Sequence, residues 1–438
     1  KGVMQDNVLS LSFTLPEFVR LAVNDYVDFG GERFTLLNEY RPQQKSTVEY
    51  QYDVRFYGIE SELKKALVLK MVDSDNDPSF ALNDSPRVHL QLIADNINRI
   101  KGTQNWTVGQ VITAPNQNVE YDCTYCYDAL NKLAEVFGTE WWIEGNTINL
   151  SRCEHGDLLE LGYGHGLTNL SKEENETAPF FTRLYPIGST RNIDKAKYGS
   201  ARLHLPGGAQ YVEQNTHLGI VEYAEEETFS GIYPRRVGQV GTVRSENRQI
   251  EGVARTIYYF TDPGLTFDPN DYEIAGLVKH VKFEGGSLNG NDFEVNFNSQ
   301  TKEFEIINQY PYDNMQLPGG AMIPKTGDDY VMWNITMPDE YYGLAEQELA
   351  EAVDTFLGQY SIDTAVYKGP TDYIDINERG IVLSLGRRVR LLSEEYFTAG
   401  YRESRITAIT RKVNNLSEAD IECSYAVSPG RVANLENN

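Results

Sequence analysis

At 438 residues the chain is too long for one hydrophobic core, and two to four domains are expected. Its net charge of −25, with 64 acidic against 39 basic residues, sets repulsion against any phosphate backbone or anionic membrane surface, so specific nucleic-acid binding is not expected. Four cysteines are too few for a disulfide-built scaffold, and no apolar run approaches the ~20 residues needed to span a bilayer, so stable membrane insertion is not expected either.

The first ninety residues carry strand patterns. VEYQYDVRFYG (48–58) alternates, with Val48, Tyr50, Tyr52, Val54 and Phe56 on one face and Glu49, Gln51, Asp53 and Arg55 on the other. ERFTLL (32–37) is its expected shorter partner. IESELKKALVL suits a helix or a strand equally, and ALVLKMV (66–72) is short and interrupted by Lys70. Nothing in KGVMQDNVLS has the length of a signal-peptide apolar region.

From about residue 89 the period changes. HLQLIADNINRI sets Leu90, Ile93, Ile97 and Ile100 at helical spacing. YDCTYCYDALNKLAEVFG predicts a second helix with Cys126, Leu130, Leu133 and Phe137 inward, Asp122 or Thr124 as its cap and Gly138 as its stop. TEWWIEGNTINLS follows as a hairpin turning at Gly145-Asn146. An acidic linker, SKEENETAP (171–179), precedes FFTRLYPIG (180–188). That segment predicts a strand with Phe181, Arg183 and Tyr185 on one face and Phe180, Thr182 and Leu184 on the other, ended by Pro186 and Gly188.

Turn-rich strands run on to about residue 340. The pentapeptide LPGGA occurs at 205–209 and 317–321, and Pro-Gly at the centre suits a type II turn. GGSLNGNDFEVNFNSQTKEFEII (285–307) predicts two strands with a short loop. YYGLAEQELAEAVDTFLGQY is an amphipathic helix expected to turn Leu344, Leu349, Val353, Phe356 and Leu357 inward, and YIDI, IVLSLGRRVRLL and RITAITRKV return to strand.

No chemistry-bearing constellation survives comparison with its blander explanation. Cys123, Cys126, Cys153 and His155 have the right atoms for zinc, but Cys126 belongs to a helix stripe and Cys153-x-His155 lacks a proper ligand spacing. DSDNDP (73–78) begins like a calcium loop, yet Pro78 stands where Gly is needed and Asp84 where a bidentate Glu is needed. GYGHG (162–166) fits a hairpin turn better than a phosphate loop. The carboxylates of EYAEEETF (222–229) resemble a sugar-cleaving cleft, but acids are abundant throughout. Of Trp141 and Trp142, opposite strand faces allow one in the core and one against a neighbour. No residue is assigned to catalysis, to a cofactor or to a metal.

Three stretches in order carry a resemblance: ALNKLAEVFGTEWWIEGNTINL (129–150), LGYGHGLTNLSKEE (161–174) and FFTRLYPIG (180–188), with SLGRRVRL and ESRITAIT following in the last hundred residues. Together they resemble bacteriophage tail-tip hub proteins, the tail-associated or prophage tail endopeptidase-like family, related in fold to the contractile-phage baseplate hub. The resemblance implies a non-enzymatic homotrimeric ring in the virion tail. Such a ring joins the tail tube and distal tail proteins to a spike or fibre, with two similar β-domains per subunit mimicking sixfold symmetry around a DNA channel. It implies that the FFTRLYPIG strand re-enters a β-barrel from an inserted module, with Arg183 pairing or stacking at the junction. Some relatives carry a peptidase or lysozyme domain beyond the hub; this chain ends at YAVSPGRVANLENN, so no peptidase activity is carried over.

The expected fold class is a β-rich α+β multidomain protein, with two barrel-like antiparallel β-domains, an inserted small α/β domain and a C-terminal α+β domain. The expected division is 1–88 barrel-like, 89–178 α/β insert, 179–342 second β-rich domain and 343–438 C-terminal α+β domain. The alternative is a secreted or surface carbohydrate-active hydrolase or glycan-binding protein, which requires a deep aromatic-lined cleft, with facing acids in the hydrolase.

Overall fold

The computed structural model describes residues 1–72, 75–173, 180–216, 219–250, 252–312, 315–360 and 365–426. Asp73 and most of the acidic linker at 171–179 lie outside them. Period-two alternation accounts for the first unit. Glu49–Tyr57 buries Tyr52, Val54 and Phe56, and its long partner is Val8–Leu15, paired antiparallel from Val8↔Tyr57 to Leu15↔Tyr50. The ERFTLL segment pairs with this strand at Thr35↔Tyr57, and its Phe34 and Leu36 join Val54 and Phe56 in one cluster. It forms its own hairpin with Tyr26–Phe29, because Gly30 and Gly31 supply the two left-handed positions of the turn. The Phe13 and Tyr52 rings, directly opposite across the long pair, stack at 4.8 Å. The ambiguous IESELKKALVL segment is a 3-10 helix over Ile59–Lys65.

Helices α1 (Pro86–Lys101) and α2 (Cys126–Val136) enclose the second core with the hairpin Trp141–Glu144/Thr147–Leu150. Pro86 at the first turn and left-handed Gly102 past the end bound α1. The cap of α2 is Tyr125, not Asp122 or Thr124. The Thr124 hydroxyl instead accepts from the Asp122 amide at 3.1 Å, which closes the local turn before the helix starts.

Two seven-stranded sheets follow. The first takes its strands from residues 237–333, in the order Val237–Gln239, Asp329–Trp333, His280–Phe283, Asp292–Asn298, Glu303–Ile306, Val253–Thr261, Val243–Ile250, all antiparallel. Its two end strands are consecutive in sequence, separated only by Val240, Gly241 and Thr242. The Val240 amide bonds Asp328 O and the Gly241 amide bonds Thr261 O, so the sheet curls until its ends meet. Inside lie Phe260, Phe283, Phe293, Phe304 and Tyr330, with Phe260 stacked on Phe304 at 4.8 Å.

The second sheet runs Gly166–Leu167, His155–Tyr163, Arg387–Leu392, Tyr401–Lys412, Asn415–Cys423, Val366–Pro370, Ser171–Glu173. It too ends on consecutive strands, linked by Thr168, Asn169 and Leu170. It is split in sequence, and His155–Tyr163 meets Arg387–Leu392 in parallel. Its core is mainly aliphatic: Leu161, Val389, Leu391, Ile406 and Ile421.

The long helix α3 (Asp339–Tyr360) covers Phe181, Leu184, Leu203 and Phe229. Leu349, Val353, Phe356 and Leu357 point inward, but Leu344 is 64% exposed and Ala345 takes its place. The buried stripe steps 345, 349, 353, 356, which puts residue 344 about 100° away from it. Among the described residues no helix is long and apolar enough to cross a membrane. The chain is a β-rich α+β multidomain protein whose principal sheets curl toward barrels.

Candidate functional site

The sulfur-histidine set does not converge. Cys126 starts α2 and is fully buried against α1, where burial pushes its thiol up to about 12. Cys153 is buried as well, pushed up to about 12 first by burial and then by the Glu140 carboxylate. Cys123 is exposed, and the His155 ring bonds Leu385 O at 2.7 Å. Among the described residues no group of His, Cys, Asp and Glu has metal-site geometry. In the Asp-rich segment, Asp75–Asp77 pairs as a strand with Lys70–Val72. GYGHG is a turn: Gly162 and His165 exchange both backbone bonds, at 2.8 and 2.9 Å.

The acids of EYAEEETF go to separate partners. Glu222 meets Arg183 and Tyr185, Glu225 accepts from Tyr223 and Thr228, and Glu226 pairs with Arg202. Trp141 is buried with its indole N–H on Asn131 at 2.8 Å, and Trp142 is half-buried. Two open depressions among the described residues could hold a ligand. One, of about 450 Å³, lies on the N-terminal sheet among Leu11, Phe13, Leu21, Tyr26 and Phe56. The other, of about 480 Å³, lies among Thr256, Tyr258, Gln316 and Gly319–Met322. Neither is lined by two facing carboxyl groups, the arrangement a glycosidase requires.

The FFTRLYPIG segment forms a junction. Its strand is Arg183–Pro186, paired with Val212–Glu213 on one side and Glu222–Glu225 on the other. The predicted face assignment fails before the strand starts. Phe181 and Thr182 are both buried, because a bend at Thr182 breaks the alternation, and Phe181 joins Leu184 under α3. Arg183 behaves as the junction residue. Its guanidinium donates to Glu213 at 2.6 Å and Glu222 at 2.9 Å and lies 4.5 Å over the Tyr211 ring. The Tyr185 hydroxyl donates to the same Glu222, and these two contacts hold that carboxyl below its usual range. Gly188 is required by a close approach: a Cβ there would sit 2.3 Å from Leu203 O.

Two buried ion pairs escape sequence reasoning. Arg405 and Glu140 are 1% and 0% exposed and bond bidentately. Arg405 also donates to Cys153 O at 2.9 Å and Ala426 O at 3.2 Å. Burial opposes the Arg405 charge, but Glu140 outweighs it and holds the guanidinium above its ordinary range. This pair ties the α/β unit to the split sheet. In the contiguous sheet, Asp262 accepts from Arg236 at 2.5 Å and from the Tyr330 hydroxyl at 2.8 Å. In a chain with 64 acids, nothing in the sequence marks Glu140 or Asp262 out from the rest.

No family model matches the chain, and no curated protein matches it. Among solved structures it is similar to the 43 kDa tail protein of prophage MuSo2 from Shewanella oneidensis. That likeness has 10% identity and a TM-score of 0.46 over 98% of this chain and 92% of the other. It is also similar to the prophage tail protein gp18 from Listeria monocytogenes EGD-e, with 10% identity and a TM-score of 0.35 over 81% of this chain and 91% of the other. Both neighbours are prophage tail proteins.

Proposed function

We propose that this chain is a structural component of a phage tail, non-enzymatic, acting by symmetric assembly. In this proposal it is the tail-tip or baseplate hub: a homotrimeric ring joining the tube and distal tail proteins to a spike or fibre. The observation that carries the proposal is the pair of seven-stranded sheets, each curled until consecutive strands meet at its ends. Two such units per chain are what a threefold ring needs to face a sixfold tube. The ordered motifs around 129–188 support it, and so does Arg183, which pairs and stacks at the entry of its strand. The charge of −25 suits a channel wall that DNA passes without sticking. The expected division at 88, 178 and 342 sets the β-domain pair at 1–88 and 179–342; here that pair is instead the contiguous sheet and the split sheet, whose strands come from both sides of 178 and 342.

Solution mass by light scattering over a concentration series tests it. A mass near three times 49.6 kDa is expected. A chain that stays monomeric alone and also fails to associate with purified tail tube would overturn the hub.

A further inference from the structure

The outer face of the contiguous sheet carries a group of side chains with no part in the core or in the junction at Arg183. Strand His280–Phe283 buries Val281 and Phe283 and turns His280 and Lys282 outward, side by side on one face. The His280 ring packs against Trp333 at 4.5 Å, tilted by 41°. Asp292 fixes both rings, accepting from Trp333 Nε1 at 2.9 Å and lying 3.2 Å from His280 Nδ1. Arg191 comes from a different part of the chain and places its guanidinium 5.6 Å from the Trp333 ring and 5.6 Å from that of Tyr233.

This placement is built. The next residue, Asn192, is buried with left-handed backbone, and its side-chain amide donates to Pro234 O and Met332 O, each at 2.9 Å. The loop carrying Arg191 is thus pinned to the strand carrying Trp333. Among the described residues neither Arg191 nor Lys282 has a carboxylate within ion-pair distance. Burial, then Arg191, pulls the Lys282 ammonium below its ordinary range, against weaker opposing pulls from Asp292, Glu284 and Glu120.

We propose that Arg191, Lys282 and His280, grouped around Trp333, form a binding site for neighbouring carboxylates of an acidic peptide segment on an assembly partner. The guanidinium offers paired donors and the ammonium a point charge, while the imidazole, its Nδ1 turned to Asp292, lines the site beside Trp333. Arg191 bonds the Tyr233 side chain, but neither cation is neutralised by a paired carboxylate, so both gain from an anion placed between them. Phosphate has similar donor needs, but the acidic body around this small cationic spot repels a long polyanion and tolerates a short peptide. The partner's being a tail protein rests on the function proposed above; the ligand chemistry does not.

The test is a titration of the ¹⁵N-labelled full chain with acetyl-triglutamate amide at low salt. The readout is the Trp333 indole N–H resonance, identified by its loss in Trp333→Phe. A saturable shift in about the millimolar range is expected, weakened about tenfold or more in Arg191→Gln/Lys282→Gln and unchanged in Lys195→Gln/Lys197→Gln. If the first double variant lost its native indole dispersion, Arg191→Gln alone, on the exposed loop, would carry the comparison. Absence of a saturable shift overturns the site, as does equal weakening by both double variants, the sign of diffuse charge. Saturation by inorganic phosphate at lower concentration than the peptide overturns the ligand class. Any of these results beside a trimeric mass overturns the acidic-peptide proposal and leaves the hub standing.

Discussion

The two seven-stranded sheets end in the same way and are assembled by opposite routes. One draws its strands from 237–333 and pairs each with an antiparallel neighbour; the other joins 155–173 to 366–423, with a parallel contact at the seam. Parallel neighbours demand a long crossover, and here the crossover contains the whole contiguous sheet together with α3. Among the described residues each sheet has one buried arginine–carboxylate pair, and the origin of the partners differs. Arg236 and Asp262 flank strands of their own sheet, whereas Arg405 reaches out to Glu140 in the α/β unit. The contiguous sheet supplies both partners of its buried pair. The split sheet is completed by a neighbour, so its stability is tied to the packing of a different core.

The largest expected effect tests that dependence. Arg405→Met leaves Glu140 buried without its partner and should cost about 3–5 kcal/mol, read as a lower denaturant midpoint. Adding Glu140→Gln should recover part of the loss. An unchanged midpoint in the single variant would remove the dependence on which the comparison rests. Phe304→Ala, in the aromatic interior of the contiguous sheet, should cost about 3–4 kcal/mol through the cavity it opens. Followed by Trp333 fluorescence, its unfolding should separate from that of the split sheet. A single coincident transition would show that the two sheets unfold as one.

Asp262→Asn should cost about 2 kcal/mol at neutral pH. Burial raises the carboxyl's pKa, but Arg236, Tyr330 and the Gly264 amide together bring it below the ordinary value. A lowered folded pKa gives stability above the unfolded pKa that is lost as pH falls through the folded one. The gap between wild type and variant should therefore begin to shrink below about pH 4 and close only as pH falls through the lowered folded pKa, and a gap that persists below that would place the effect in packing. Smallest of all, Leu344→Gln on the exposed side of α3 should change monomer stability by no more than about 0.5 kcal/mol. A drop in assembly mass with stability unchanged would mark Leu344 as a subunit contact.

Local pattern made much of this fold legible. Helix spacing gave α1 and α2, Gly-Asn gave the turn at 145–146, and alternation gave the buried face of Glu49–Tyr57. Some misses are local: YIDI, expected as strand, is a short helix over Tyr373–Glu378, capped by the Asp372 carboxylate on the Ile374 amide at 3.0 Å. Leu344 has the composition of a core residue but the wrong helical phase. Phe181 lies one bend before its strand, and a hydroxyl–amide contact displaced the cap of α2. The two LPGGA turns also diverge. At 205–208 the Pro-Gly pair closes as predicted, with Gly207 left-handed and the Gly208 amide on Leu205 O at 3.1 Å. At 317–321 Pro318 is cis and the closing bonds run between Gly319 and Met322. The seam between His155–Tyr163 and Arg387–Leu392 has no local signature, because its partners lie too far apart in sequence. The cationic group at Trp333 was equally hidden: Arg191 and Lys282 are ordinary residues until Asn192 pins one loop to one strand.

The split sheet also sets an order of events on the ribosome. His155 emerges 230 residues before Leu385, the residue its ring will bond. At roughly 5–20 residues per second, strand His155–Tyr163 waits about ten to fifty seconds with one edge unpaired. The contiguous sheet can close during that wait. The nascent chain therefore carries a finished domain beside an open strand edge, and during that interval a chaperone, or a second nascent chain, can reach it.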